Sequence, residues 1–142
     1  MSEKIDLLRA VPLFADLDER SLQAIAALTR EIDARAGKVL VQEGGPADAF
    51  YVIVDGTVRV EREGRFVRSM IAGGFLGEIA LIQQGERTAT ATCVTECRLL
   101  MLQGHEFQRL LETFPAIHRR VSAAVARRRQ RSATGPRSAS SS

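Results

Sequence analysis

Apolar residues recur at steps of three and four near both ends of the chain and at steps of two through its middle, which predicts helices flanking a β-rich body. Ile5, Leu7, Leu8 and Val11 mark one helical face, stopped by Pro12. Leu22, Ile25, Ala26 and Leu28 mark a second, with Asp18 suited to cap its start. Helix is expected within residues 5–31. From Gly37 the period changes: Val39 and Val41, then Tyr51, Ile53, Val58 and Val60, alternate with other residues. Asp55-Gly56 predicts a tight hairpin, Glu63-Gly64-Arg65 a second one, and Gly73-Gly74 a further break. Thr88 to Val94 and Arg98 to Leu102 form another pair of β-rich runs across Thr95-Glu96. Short strands so closely spaced imply a closed or rolled antiparallel sheet over residues 37–103. Helix returns over 105–131, where Phe107, Leu110, Leu111 and Phe114 form a stripe, Pro115 interrupts, and Val121, Ala124 and Val125 give a thin apolar edge. Residues 132–142, rich in Ser with Gly135 and Pro136, cannot bury enough to offset ordering entropy and are expected to be disordered.

Composition narrows the chemistry. A hydrophobic content of 45% in 142 residues suffices for one core. No apolar run approaches the ~18 residues a membrane span needs, and the N-terminus lacks a signal-peptide pattern, so a soluble cytoplasmic protein is expected. Cys93 and Cys97, four apart without a nearby His, suit neither zinc nor a disulfide framework and are expected as buried free thiols. His105 and His118 are not spaced as ligands, so no metal site is expected. The formal charge of +3 is uneven: residues 119–142 hold seven arginines and no acid, leaving −4 on residues 1–118. Arg127, Arg128, Arg129 and Arg131 could therefore meet nucleic acid or an anionic membrane, although such a run is more often a solvated helix end. No aromatic residue interrupts it, so base stacking is unsupported.

The most specific chemistry lies in residues 75–90. Glu78 opens a one-turn helical pattern, and Arg87 follows nine residues later at the start of a strand-like run. A helix N-terminus and a guanidinium both suit a phosphate, whereas a carboxylate repels it and suits a hydroxyl. The pair fits a ribose phosphate. No paired general acid and base, nucleophile triad or metal cluster is visible, so an enzyme is not expected.

In order and spacing, Gly77-Glu78-Ile79-Ala80-Leu81, the turn glycine Gly85 and Arg87-Thr88-Ala89-Thr90 resemble the phosphate-binding cassette of cyclic nucleotide-binding domains. That family includes catabolite-activator-type regulators, cyclic-nucleotide-gated channels and kinase regulatory subunits. The similarity extends over roughly residues 7–125, through Val11-Pro12-Leu13-Phe14, Glu43-Gly44 with Ala47-Asp48, and Phe50-Tyr51-Val52-Ile53. It implies one domain over residues 5–131: a mainly β, jelly-roll-like antiparallel β-roll, flanked by N-terminal helices and a C-terminal lid helix.

The resemblance also implies a ligand, cAMP or cGMP, with no further cofactor. By similarity Arg87 pairs with the cyclic phosphate, Glu78 accepts from the ribose 2'-hydroxyl, and Ala80 and Thr88 offer backbone N–H groups. Gly77 permits close backbone approach. Val60 and Met70 align with positions lining the base, or serve as plain core. Arg68 stands where the family more often has an apolar residue; it either stacks on the purine or points to solvent. Thr88 leaves the base open, and the Arg/Ala-rich, bacterial-looking composition favours cAMP over cGMP. The closing helix, through Val121, Val125 or Arg128, is expected to convert occupancy into movement. With neither a DNA-binding domain nor a pore accommodated, output is expected through an effector protein, self-association or the Arg-rich tail. The alternatives are a ligand-free structural module of the same fold, or an accessory protein acting through that tail.

Overall fold

The computed structural model describes residues 3–45, 49–76 and 89–140, with the backbone alone for residue 3 and residues 128–140. Helix α1 (Glu3–Arg9) is followed by a 3-10 turn at Pro12–Phe14 and by α2 (Glu19–Leu28). Pro12 starts the 3-10 turn, where its missing N–H costs nothing. Asp18 caps α2, its carboxylate accepting from the Ser21 backbone N–H at 2.8 Å. Hydrogen bonding from Ser21, side chain first and then backbone, holds the Asp18 carboxyl below its ordinary pKa. At the other end Lys4 Nζ donates to the carbonyls of Ala26 (3.1 Å) and Thr29 (2.8 Å), tying α1 to the C-terminus of α2.

Among the described residues eight strands follow: β1 (Arg30–Ala34), β2 (Val39–Val41), β3 (Ala49–Asp55), β4 (Val58–Arg62), β5 (Arg65–Met70), β6 (Phe75–Leu76), β7 (Thr90–Cys93) and β8 (Cys97–Gln103). They form two four-stranded antiparallel sheets, ordered β1-β8-β3-β6 and β2-β7-β4-β5. The expected β-roll is present, with three differences from the pattern-based reading.

First, Arg30 and Glu31 lie in a strand and not in helix. In β1 only Ile32 and Ala34 turn toward the core, and three charged residues hide the alternation. Second, Asp55-Gly56 is not a hairpin turn, because β3 and β4 belong to different sheets. It is the corner where the chain crosses between them, and Thr95-Glu96 makes the matching crossing from β7 to β8. Gly56 has φ +106°, and a Cβ there would sit 2.6 Å from the Glu96 carbonyl oxygen, so only glycine fits that crossing. Third, the final helix continues to Ser140. The Ser-rich segment expected to be disordered is helical through Ser140, and its composition, with Ser, Thr, Gly135 and Pro136 among weak helix formers, gives no physical account of that. The hairpin at Glu63-Gly64 is found as expected: φ values of +54° and +78° give the two left-handed residues of a type I′ turn between β4 and β5.

Two cores share the β3–β8 pair. Phe50, Val52, Leu100 and Leu102 face the helices and pack with Leu8, Phe14, Leu22, Ile25 and the C-terminal helices. Ile53 and Leu99, with partly buried Tyr51, face the roll interior with Val58, Val60, Met70 and Ala91. Both faces of β3 are therefore covered, which explains why residues 49–54 carry an unbroken apolar run. Phe50 stacks on Phe107 with centroids 4.4 Å apart and approaches Phe75 at 5.6 Å, joining roll, β6 and helix in one aromatic contact.

The C-terminal helices are α3 (Gly104–Thr113) and α4 (Pro115–Ser140). Gln103 and Glu106 form a capping box at the start of α3, and Pro115 opens α4. Ile117, Val121 and Val125 bury one face of α4. Arg120, on the same helix, donates through Nη1 to the carbonyls of Leu13 (2.8 Å) and Ala15 (2.9 Å). That pair of bonds clasps α4 to the 3-10 turn.

Candidate ligand site

Gly77, Glu78, Ile79, Ala80, Arg87 and Thr88, the residues on which the ligand reading rests, lie outside the described residues. Their anchors do not. The segment 77–88 leaves from β6, the edge strand of one sheet, where Leu76 pairs with Tyr51 and Phe75 with Val52. It returns at Ala89 into β7, an inner strand of the other sheet, paired with both β2 and β4. The chain thus crosses from one sheet to the other at the point where the sequence places its carboxylate and its guanidinium.

The return is tightly fixed. Ala89 is half-buried against the roll interior. Thr90 Oγ1 accepts from the Glu43 backbone N–H at 3.0 Å, and Glu43 Oε1 accepts from the Glu63 N–H at 2.9 Å. Side-chain bonds thus bind the end of β2, the β4–β5 hairpin and the start of β7 together, so Glu43 is an organising residue of this end of the roll.

Val60 and Met70 are both buried in the roll interior, 4% and 8% exposed. Val58 pairs with Met70 and Val60 with Arg68, and cross-strand partners point to the same face. Arg68 therefore stands on the inner face of the roll beside Val60, half-buried, and not on the solvent face.

A cleft of about 290 Å³ opens between β5 and α4, lined by Arg68, Ser69, Met70, Ile71, Gly74 and Phe75 on the roll side. Ala124 and Arg127 face it from the helix. Of the base and lid residues expected from sequence, Met70 lines this cleft. Val121 and Val125 pack into the core between α4 and the rest of the domain instead, and the side chain of Arg128 lies outside the described residues. The face of α4 presented to the cleft is Ala124 and Arg127, three residues apart, a pairing that the helical period makes legible once the buried face is known. Among the described lining residues the charged groups are two guanidiniums and no carboxylate.

A second cleft, about 490 Å³, is lined by Leu7, Asp33, Val54, Asp55, Glu96, Cys97 and Arg98. Among its described lining residues the one cation is Arg98, with Nε 3.7 Å from Asp33 Oδ1. Cys93 and Cys97 are both buried free thiols near this corner. Burial, reinforced by a hydrogen bond with the Cys97 thiol, pushes the Cys93 thiol up to about 12, so it is a neutral core group.

The described architecture is a roll of two antiparallel four-stranded sheets flanked by helices. The family model for the cyclic nucleotide-binding domain matches residues 31–114, and the chain belongs to that family. It is 33% identical over 106 residues to the cAMP-dependent protein kinase regulatory subunit of Schizosaccharomyces pombe, covering 74% of this chain and 26% of that protein. It is 37% identical over 82 residues to the cGMP-dependent protein kinase egl-4 of Caenorhabditis elegans, covering 58% and 10%. Among solved structures, the regulatory domain of Toxoplasma gondii PKA with cAMP superposes with a TM-score of 0.67 at 29% identity, covering 75% of this chain and 42% of that one. The chain thus spans about a quarter or less of the two kinase relatives it matches. No helix among the described residues is long and apolar enough to cross a membrane.

Proposed function

We propose that this domain is a noncatalytic sensor that binds a cyclic purine mononucleotide and converts occupancy into a change in the position of α4. The observation that carries the reading is the family match over residues 31–114, which includes the Glu78 and Arg87 cassette. In this reading Arg87 forks onto the cyclic phosphate, the Ala80 and Thr88 N–H groups complete the anion cradle, Glu78 takes the ribose 2'-hydroxyl, and Gly77 lets the backbone approach. The relatives bear on the ligand class and leave the base open, since one kinase is cAMP-dependent and the other cGMP-dependent.

A ligand shifts α4 only if it favours one of its positions. Two features of the helix give it something to shift: Ala124 and Arg127 face the cleft, and Arg120 ties the helix to the 3-10 turn. The next step, to an effector protein or a second copy of the chain, belongs to the same proposal.

Calorimetric titration with cAMP and cGMP tests the reading. Arg87→Ala is expected to weaken binding by at least about 2 kcal/mol, roughly thirtyfold, the scale for truncating one partner of a buried charge pair. Arg87→Lys is also expected to weaken it, because a point charge does not reproduce the fork. Glu78→Gln is expected to erode discrimination against 2'-deoxy analogues. Full affinity in Arg87→Ala would remove the cassette from the account.

A further inference from the structure

We infer that residues 126–140, the outer end of α4, are a basic helix that docks in the major groove of duplex DNA and grips its phosphates without regard to sequence, with or without a nucleotide in the roll. The charge of the chain is divided: residues 119–142 hold seven arginines and no acid, whereas residues 1–118 carry −4. A polyanion is therefore repelled by the body and drawn to this one segment. All its cations are arginine, whose planar fork binds phosphate oxygens in pairs where lysine offers a point charge. The backbone is helical without a break from Pro115 to Ser140, while the face buried against the core ends at Val125.

The helical period decides between anionic surfaces. At about 3.6 residues per turn, Arg127 and Arg131 fall on one side of the helix and Arg129, two residues from each, on the opposite side. Arg128 and Arg137 occupy the two flanks between them. A bilayer surface is flat and meets one side only, and a helix lying in it needs an apolar face. The apolar residues after Val125 are only Ala126, Ala133 and Ala139, with Pro136. A groove has two phosphate walls, so cations on several sides of a helix are all within reach of charge. The major groove of B-DNA, about 12 Å wide, accepts a helix of about 10–12 Å diameter, whereas that of duplex RNA is too narrow. No aromatic residue follows Phe114, so a single strand would find no stacking platform.

The test is fluorescence anisotropy of the full chain with a labelled DNA duplex of about 20 base pairs, over about 20–200 mM salt. Arg127, Arg128, Arg129, Arg131 and Arg137, each contributing about 0.9 to the slope of log affinity against log salt, predict a slope of about −4 to −4.5. Affinity should then fall about 250- to 500-fold between about 50 and 200 mM salt. Arg128→Gln, Arg129→Gln and Arg131→Gln together should bring the slope to about −1.8, with Gln keeping helix propensity. Lysine at the same three positions should keep the slope near the native value, because the slope counts charges. No DNA binding at about 20 mM salt, a slope that the Gln variant does not move, or a Lys variant that behaves like the Gln one would each overturn the assignment. So would duplex RNA bound as tightly as DNA, or retention on phosphatidylserine vesicles without DNA binding. Nucleotide binding in the roll is read separately by calorimetry, and none of these results touches it.

Discussion

Replacing Gly56 by alanine probes the crossing between the two sheets. Gly56 sits at φ +106°, outside the comfortable range of any L residue, and strain of that kind costs about 1–3 kcal/mol. The added methyl group would also lie 2.6 Å from the Glu96 carbonyl oxygen, 2.7 Å from Cys97 Sγ and 2.9 Å from Cys97 Cα. Two of those atoms are backbone and cannot swing aside, so overpacking contributes a further ~1–3 kcal/mol. The total, about 2–6 kcal/mol, is a large part of the ~5–15 kcal/mol that holds a domain together. Gly64 is the control: its φ is +78°, but nothing lies within 4 Å of its Cβ position. Gly64→Ala should incur the backbone term alone. Equilibrium urea unfolding of the two variants, at unchanged slope, should show Gly56→Ala the more destabilised by about 1–3 kcal/mol. Adding Cys97→Ala to Gly56→Ala should recover only part of the loss, since the Glu96 carbonyl remains in the way. Equal destabilisation of Gly56→Ala and Gly64→Ala would refute the steric argument and the close corner with it.

Arg120→Met removes both bonds to the 3-10 turn and is expected to destabilise the domain by about 1–3 kcal/mol, with faster hydrogen exchange of α4 amides; unchanged exchange would show that the clasp does not hold the helix. The Cys93 thiol gives an alkaline signature. Its pKa is raised in the folded state to about 12, so the stability it contributes is complete below the unfolded thiol value near ~8.5 and is lost as pH rises from there toward about 12. Thermal melts between pH 7 and 11 should fall more steeply for the native chain than for Cys93→Ala, and parallel curves would contradict the shift. Ellman's reagent at pH 8 should label neither cysteine until denaturant is added, because both thiols are buried.

Much of this architecture was legible from residue order alone, for physical reasons that differ by element. The helices showed a 3.6-residue period because each has one covered face, as with Leu22 and Ile25 in α2. The Glu63-Gly64 hairpin was legible because a two-residue turn needs local backbone chemistry and nothing else. Asp55-Gly56 carries the same local signal yet joins two sheets. Whether neighbouring strands pair depends on the other strands that claim them, and β3 is taken on its two sides by β8 and β6. Strand β1 escaped detection because only Ile32 and Ala34 face inward among charged neighbours.

At the candidate site the cassette residues 77–88 lie outside the described residues, and the orientation of Arg68 could not be read from sequence. Its face is set by the pairing of Val60 with Arg68, next to the register shift between Val60 and Glu61. A one-residue slip would have put that guanidinium in water. The lid residues posed a similar problem: Val121 and Val125 were the apolar choice, but burial against the core turns Ala124 and Arg127 to the cleft.

Equilibrium dialysis of the purified chain against labelled cAMP and labelled cGMP tests the central claim most directly. The predicted result is saturation at one nucleotide per chain for at least one of the two, displaced by the unlabelled compound. Retention of neither nucleotide above a bovine albumin control would contradict the account.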